Sequence, residues 1–305
     1  MKFTIFQESR IGRRKNNQDR IAYCYSSDAL LMLIADGMGG HLHGEVAAQI
    51  AVQFITQAFQ REARPLLNDP SLFLSRALGN AHNAILDYAF DKQLQEAPRT
   101  TVVACVVQEG FAHWAHAGDS RLYLLRKGHI AAQTRDHSRV QLMMDQGLLD
   151  AAGAARHPSR NRIYSCLGGN HPPQIEFSRR VALRDGDLLA LCTDGVWGPL
   201  GNEGLCLGLV GTNVMEAVPK LMNRAEQLAG ASCDNLSMIA MCWQTDVSAL
   251  GTDSASNATV TLDGFTTRLD TFENSRTPAN KYDLTDEEIE RAIAEINSAI
   301  HKFSK

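Results

Sequence analysis

Residues 30–40 read LLMLIADGMGG, and residues 188–198 read LLALCTDGVWG. Both follow the pattern Leu-Leu-x-Leu-x-x-Asp-Gly-x-x-Gly. In each, an apolar run of strand length stops at a carboxylate followed by glycines. A run without polar alternation belongs to a strand covered on both faces, so its last residue emerges at the rim of a core. An Asp placed there on rigid backbone is suited to holding a cation, and two such rims can share one cluster. Asp-Gly after an apolar run is also the signature of a tight hairpin turn. Carboxylates elsewhere in the chain decide between the two readings.

Further short runs with β-branched and aromatic content occupy residues 21–25, 102–107, 111–116, 121–125 and 236–243. Their close spacing predicts hairpins in antiparallel sheets. Helical period appears in Val46, Ile50, Phe54 and Ala58, and again in Leu74, Leu78, Ala81, Ile85 and Tyr88. A third helix is expected from about residue 214 to 228, with Asn213 as its cap and Pro219 near its start. Strands alternating with helices in this way predict an α+β layout with packed sheets and outer helices.

Residues 245–280 are rich in Ser, Thr, Asn and Asp without a sustained period, the texture of a flexible linker. Residues 281–305 then read as an amphipathic helix. Thr285 and Glu288 form a capping box, and Ile289, Ile293, Ile296, Ile300 and Phe303 form a seam. That seam suits docking on the chain's own core, pairing with a second copy, or a partner. The catalytic unit is expected within residues 1–244.

The chain has 305 residues, enough for a large core. A net charge of −4 gives no footprint for nucleic acid or an anionic membrane. No apolar stretch approaches a membrane span, and the first residues lack a secretory h-region. The seven cysteines are scattered, mostly in apolar runs, with no Cys-x-x-Cys pair. Buried thiols in a reducing compartment fit that pattern, so a cytoplasmic location is expected.

Five aspartates sit at strand ends or in glycine-bearing turns: Asp19 after Asn16-Asn17-Gln18, Asp36, Asp119 in HAGDSR, Asp194, and Asp234 before Asn235. Converging without counter-charge, they would repel strongly until protons or metal relieved them. No His or Cys shares their spacing, so the donors are hard oxygens and favour Mg²⁺ or Mn²⁺ over zinc. Two such ions side by side can activate water and clamp a displacement at phosphorus. Arg14 supplies a guanidinium able to grip phosphate with two hydrogen bonds.

Taken in order, RKNNQD, DGMGGH with GEVA, RTT, HAGDSR, TRDHS, LLALCTDGVWG and CDNLSMI resemble the metal-dependent Ser/Thr protein phosphatases, the PPM or type 2C family, in its bacterial form. The resemblance covers roughly the first 245 residues. It implies a four-layer αββα sandwich, two antiparallel β-sheets flanked by antiparallel helix pairs. It also implies direct hydrolysis of phosphoserine and phosphothreonine by a metal-bridging hydroxide, without a phosphoenzyme. By the same resemblance Asp36 bridges two core ions, the Gly37 carbonyl ligates one, and Asp194 and Asp234 complete the other. Asp119 with Asp194 matches the pair holding a third, weaker ion. Arg14 matches the phosphate-binding arginine. Gln18, Asp19 and Asn235 stand behind the ions, Asp19 bonding metal-bound water. Implied partners are Ser/Thr-phosphorylated proteins, including a cognate kinase.

Two positions depart from the family pattern. Gln18 stands where many members carry Glu, which removes a charge near the metals. Met38 stands where animal members place a histidine proposed as general acid; His41 and His43 read instead as structural residues of a helix entry. Residues 137–180 resemble the variable flap, whose His157–Arg162 cluster suits either a phosphopeptide or solvent. His113 and His116 read as packing residues, and Thr100 and Thr101 as strand entry. Rival readings are a phosphoprotein-binding or scaffolding module and a two-metal hydrolase of another phosphoester. The intact set Asp36, Asp194 and Asp234 weighs against lost catalysis.

Overall fold

Both copies of the repeated phrase begin as strands, and the chain is laid out around them. The computed structural model describes residues 1–38, 43–211, 213–244, 260–262 and 265–269. In order the elements are β1 (Lys2–Arg10), β2 (Asp19–Tyr25), β3 (Ala29–Met38), α1 (Gly44–Glu62), α2 (Pro70–Asp91), β4 (Arg99–Thr100), β5 (Val102–Gln108), β6 (Phe111–Ala117) and β7 (Arg121–Arg126). There follow β8 (His129–Gln133), α3 (Arg139–Asp145), α4 (Ala151–Arg156), β9 (Glu176–Phe177), β10 (Val181–Ala182), β11 (Leu188–Cys192), α5 (Asp194–Leu209), α6 (Val214–Ala229), β12 (Leu236–Gln244), β13 (Val260–Leu262) and β14 (Phe265–Leu269).

One sheet has the order β1-β12-β11-β7-β8; the other runs β10-β6-β5-β3-β2-β14-β13, with β4 against β3 and β9 against β6. All these pairings are antiparallel. The period of two along a strand explains the doubled apolar runs. Leu30, Met32 and Ile34 of β3 meet Leu189 and Leu191 of β11 between the sheets, together with Val103, Cys105, Ile239 and Met241. Leu31, Leu33 and Ala35 point the other way, under Ile50, Ile55 and Phe59 of α1 and Leu74 and Ile85 of α2. Leu188, Ala190 and Cys192 lie under Val196 and Leu205 of α5 and Val218 and Leu221 of α6. Each strand is apolar throughout because both of its faces are covered, and the result is the expected αββα sandwich.

The helix pairs follow local rules. Asp69 caps α2 by accepting from the Ser71 and Leu72 amides, with Pro70 at the first helical position. Phe59 and Phe73 meet edge to face at 5.9 Å, where α1 hands over to α2. Asn213 caps α6 through the Met215 amide, as its position before the periodic run predicts.

The structure departs from expectation in several places. Neither Asp-Gly pair makes a hairpin turn: β3 runs on through Asp36 and Gly37 to Met38, and Asp194 opens α5. Their glycines serve close approach instead. A Cβ on Gly37 would lie 2.2 Å from the Gly44 carbonyl oxygen, and one on Gly195 2.0 Å from that of Asn235. Strand β1 and helix α5 were not foreseen. Within the stretch read as a flexible linker, residues 260–262 and 265–269 are strands, and β14 pairs with β2 from Thr266 opposite Tyr25 to Leu269 opposite Ala22. Val260, Thr261, Phe265, Thr266 and Thr267 carry the β-branched and aromatic preference that overrides the polar composition. The other linker residues, the expected helix at 281–305 and His41 lie outside the described residues.

Candidate metal centre

The five aspartates meet at one end of the sandwich because the strands end there. Asp19 and Asp36 are directly opposed across the β2–β3 pair. Asp194 opens α5 immediately after β11, and Asp234 lies just before β12, the neighbour of β11. Asp119 lies in the turn from β6 to β7. Backbone bonds fix their positions. The Asp36 carbonyl accepts from the Thr101 amide at 2.8 Å and the Thr100 hydroxyl at 2.9 Å, and its own amide donates to the Thr101 hydroxyl at 3.1 Å. The Gly37 amide donates to the Gln18 carbonyl at 3.1 Å. Indole Nε1 of Trp197 donates to the Asp119 carbonyl at 3.0 Å.

Crowding shifts the acidities of Asp36, Asp119, Asp194 and Asp19. Burial first, and then Asp19, Asp194, Asp119 and Asp234, push the Asp36 carboxyl well above the usual carboxylate range. Burial together with Asp194 and Asp136 does the same at Asp119. Asp194 is pushed up to about 6 by burial and Asp234, against the Gly195 amide and Arg14. Asp19 is pushed up to about 7 by burial, while the Ser237 and Thr193 hydroxyls pull it down. Carboxylates that raise one another lie close enough to repel. A divalent cation removes that repulsion, and oxygen-only donors suit Mg²⁺ or Mn²⁺.

Asp19 supplies an independent test of fit. It is 1% exposed; Oδ2 accepts from the Thr193 hydroxyl at 3.0 Å, and Oδ1 has no hydrogen-bond partner. A buried carboxylate oxygen left unpaired is costly and calls for a cation or a water held by one. The Thr193 hydroxyl also accepts from the Ser237 amide at 3.1 Å. Thr193→Val therefore removes a donor from Asp19 Oδ2 and strands a buried N–H. We expect a loss of about 2–4 kcal/mol of stability, read from the urea midpoint; an unchanged midpoint would refute this bridging role.

The remaining expected residues arrive with modified duties. Arg14 reaches the cluster but spans Asp234, Nε to Oδ1 and Nη2 to Oδ2, both at 2.6 Å. Its side chain is 58% exposed, so the fork sits at the rim. Asn235 acts on backbone: Oδ1 accepts from the Gln18 amide at 2.9 Å, and Nδ2 donates to the Ile11 and Asn16 carbonyls. It shapes the loop that carries Arg14 and Gln18. The Gln18 amide group donates to Glu45 on α1 at 3.1 Å. His43 is the left-handed residue at the entry to α1, as its structural reading predicts.

Residues 6–229 match the protein phosphatase 2C family. The chain belongs to that family. Among the proteins it resembles is the serine/threonine protein phosphatase PstP of Mycobacterium tuberculosis, 32% identical over 226 residues, or 74% of this chain. The match covers 42% of that relative's length, so the chain corresponds to less than half of it. The crystal structure of the M. tuberculosis phosphatase PstP/Ppp superposes with a TM-score of 0.71 at 29% identity, over 80% of this chain and 99% of that one. A catalytic domain of PstP in complex with two manganese ions superposes with a TM-score of 0.67 at 28% identity, over 79% and 97% of the respective chains.

Several residues that serve this phosphatase 2C site escaped sequence reasoning. Thr100 and Thr101, taken as strand entry, hold the Asp36 backbone from both sides, and Thr193 bridges Asp19 to β12. Arg121 stacks 3.5 Å over Trp197 and forms a two-bond pair with Asp136, bracing the turn behind Asp119. The cysteines offer no nucleophile here. Burial pushes the Cys192 thiol up to about 12 and Cys105 further still.

Proposed function

We propose that this chain hydrolyses phosphoserine and phosphothreonine in proteins, using Mg²⁺ or Mn²⁺. The reading rests on one observation above all: five mutually repelling carboxylates gathered where the strands end, one of them with a buried, unpaired oxygen. Asp36, the Gly37 carbonyl, Asp194 and Asp234 would hold two core ions, and Asp119 with Asp194 a third, weaker one. Such ions supply Lewis-acid polarisation of phosphoryl oxygens and an acidified water. Arg14 holds the phosphoryl group: its exposed fork exchanges a carboxylate for a phosphate of matching geometry. Asn235 keeps Arg14's loop in register, and Thr100 and Thr101 keep Asp36 from turning.

The partners we propose are Ser/Thr-phosphorylated proteins, a cognate kinase among them. A cytoplasmic location is supported by the free cysteines, most of them buried. No described helix is long and apolar enough to cross a membrane. The amphipathic segment 281–305 would dock on this domain or on a partner. The test is turnover of a phosphothreonine peptide beside a nucleotide panel, with Mn²⁺ and with chelator. Metal-dependent turnover of the peptide alone is expected; equal turnover of nucleotides, or full activity under chelation, overturns the reading.

Truncation after Gln244 should leave peptide turnover within about threefold, less than about 1 kcal/mol of barrier. Every proposed ligand precedes that point, and β14 touches β2 at the far end from Asp19. Loss of the folded far-ultraviolet spectrum on truncation would instead make the tail part of the core.

A further inference from the structure

We propose that His116, His137 and Glu176 form a separate metal site, of the zinc class, which fastens the flap-like segment 137–180 to the central sheet. Among the described residues these three offer ligand atoms all within 4.8 Å of one another. His116 lies on β6 and Glu176 directly opposite it on β9. His137 opens the segment just before α3, and Glu176 lies near its end. One ion would therefore tie both ends of the segment to one strand.

His116 is set up as a ligand rather than as packing. His116 is 2% exposed, and its Nε2 donates to the Arg135 carbonyl at 2.7 Å. That bond fixes the tautomer and leaves Nδ1 as a buried lone pair with no partner. A ring held by a backbone carbonyl through one nitrogen while the other points at a cation is the usual arrangement of a metal-binding histidine. Packing alone, as the sequence suggests for His116, does not account for that unpaired nitrogen.

His137 is 4% exposed and stacks on His116 with ring centroids 4.6 Å apart. Its Nε2 stands 3.5 Å from Oε2 of Glu176. Two ligands of a tetrahedral zinc at ~2.0–2.1 Å lie about 3.3–3.4 Å apart, so this edge already has the required length. The pair is a poor simple ion pair. Burial first, then the neighbouring His116, pushes His137 below the usual histidine range and favours the neutral form. Glu176 is 55% exposed, which leaves one side open for water or a fourth ligand.

Donor chemistry separates this site from the aspartate cluster. Two imidazoles and one carboxylate suit zinc, whereas an all-oxygen set suits Mg²⁺ or Mn²⁺. The sites are also mechanically joined. The Gly118 amide donates to His137 Nδ1 at 3.3 Å. A cation on Nε2 places the ring proton on Nδ1 and turns that amide away, next to Asp119.

The experiment takes the full chain saturated with Mn²⁺, adds Zn²⁺, removes unbound metal and counts both metals by emission spectroscopy. One zinc per chain with the manganese count unchanged is expected. Glu176→Gln, at an exposed position that tolerates it, should raise the zinc Kd at least about tenfold. With Co²⁺ in place of zinc, the parent should show the intense visible absorption of a tetrahedral nitrogen-containing site, and Glu176→Gln should lose it. Zinc taken up only as manganese leaves, or a zinc count and cobalt spectrum indifferent to Glu176→Gln, overturns the proposal.

Discussion

Asp36→Asn is expected to lower phosphopeptide turnover by at least about a thousandfold, while the protein stays folded. The figure follows from removing several kcal/mol of cation-supplied stabilisation at roughly 1.4 kcal/mol per decade. Asp36 carries the largest share because it faces every other member of the cluster: Asp19, Asp194, Asp119 and Asp234 all act on it. Its backbone is clamped by Thr100 and Thr101, so the substitution changes charge and leaves position unchanged. An amide also relieves repulsion, so the metal-free variant should unfold at a higher temperature than the metal-free parent. Loss of turnover with a raised metal-free melting temperature is the joint signature. Asp119→Asn should cost far less, because Asp119 would hold only the proposed third, weaker ion. Turnover in Asp36→Asn within tenfold of the parent would sink the assignment.

Much of this site could be read before the fold was known, for a physical reason. A strand buried on both faces shows an unbroken apolar run, so its end, and the aspartate there, stand out in the sequence. Residues whose role depends on a distant contact do not. Thr193 matters because its hydroxyl meets Asp19, 174 positions away, and nothing near Thr193 announces this. Asn235 was legible as a neighbour of Asp234, but its amide is consumed by three backbone groups of the Arg14 loop. Helix α5 was hidden by Gly195, Gly198, Gly201, Gly204, Gly208 and Pro199, all poor helix formers. Packing of Val196, Leu200, Leu205 and Leu209 over β11 supplies what propensity lacks, and the helix kinks where Gly201 takes φ 63° and ψ 176°. Strand β1 escaped because it is an edge strand: Phe3 and Ile5 face between the sheets while Phe6 faces the helices, so its apolar residues follow no single face.

The metal-free protein should lose stability as pH rises from about 5 to 7.5, the reverse of the usual behaviour of paired carboxylates. The sign comes from the direction of the shifts. Burial pushes Asp19 up to about 7 and Asp194 up to about 6 in the folded state, against about 3.9 when unfolded. Below the unfolded value both states are protonated and the folded protein keeps its full stability. Between the two values the folded state binds protons that the unfolded state has released, so stability falls until pH passes the folded value. A fall of about 5–10 °C in melting temperature corresponds to a few kcal/mol in a chain of this size. His82 and His137, pushed down by burial, act in the opposite sense, so the parent curve alone mixes two effects. The decisive quantity is the difference between the parent and Asp19→Asn, both metal-free. It should be small near pH 5 and grow toward pH 7.5, with the variant the more stable. Saturating Mn²⁺ should abolish the parent's decline, because ligation neutralises the charge that the folded state otherwise sheds by binding protons, and binding to the folded state alone adds stability. A metal-free difference that stays flat across this range would show that Asp19 is already satisfied without a cation, and the case for ions at this cluster would fall with it.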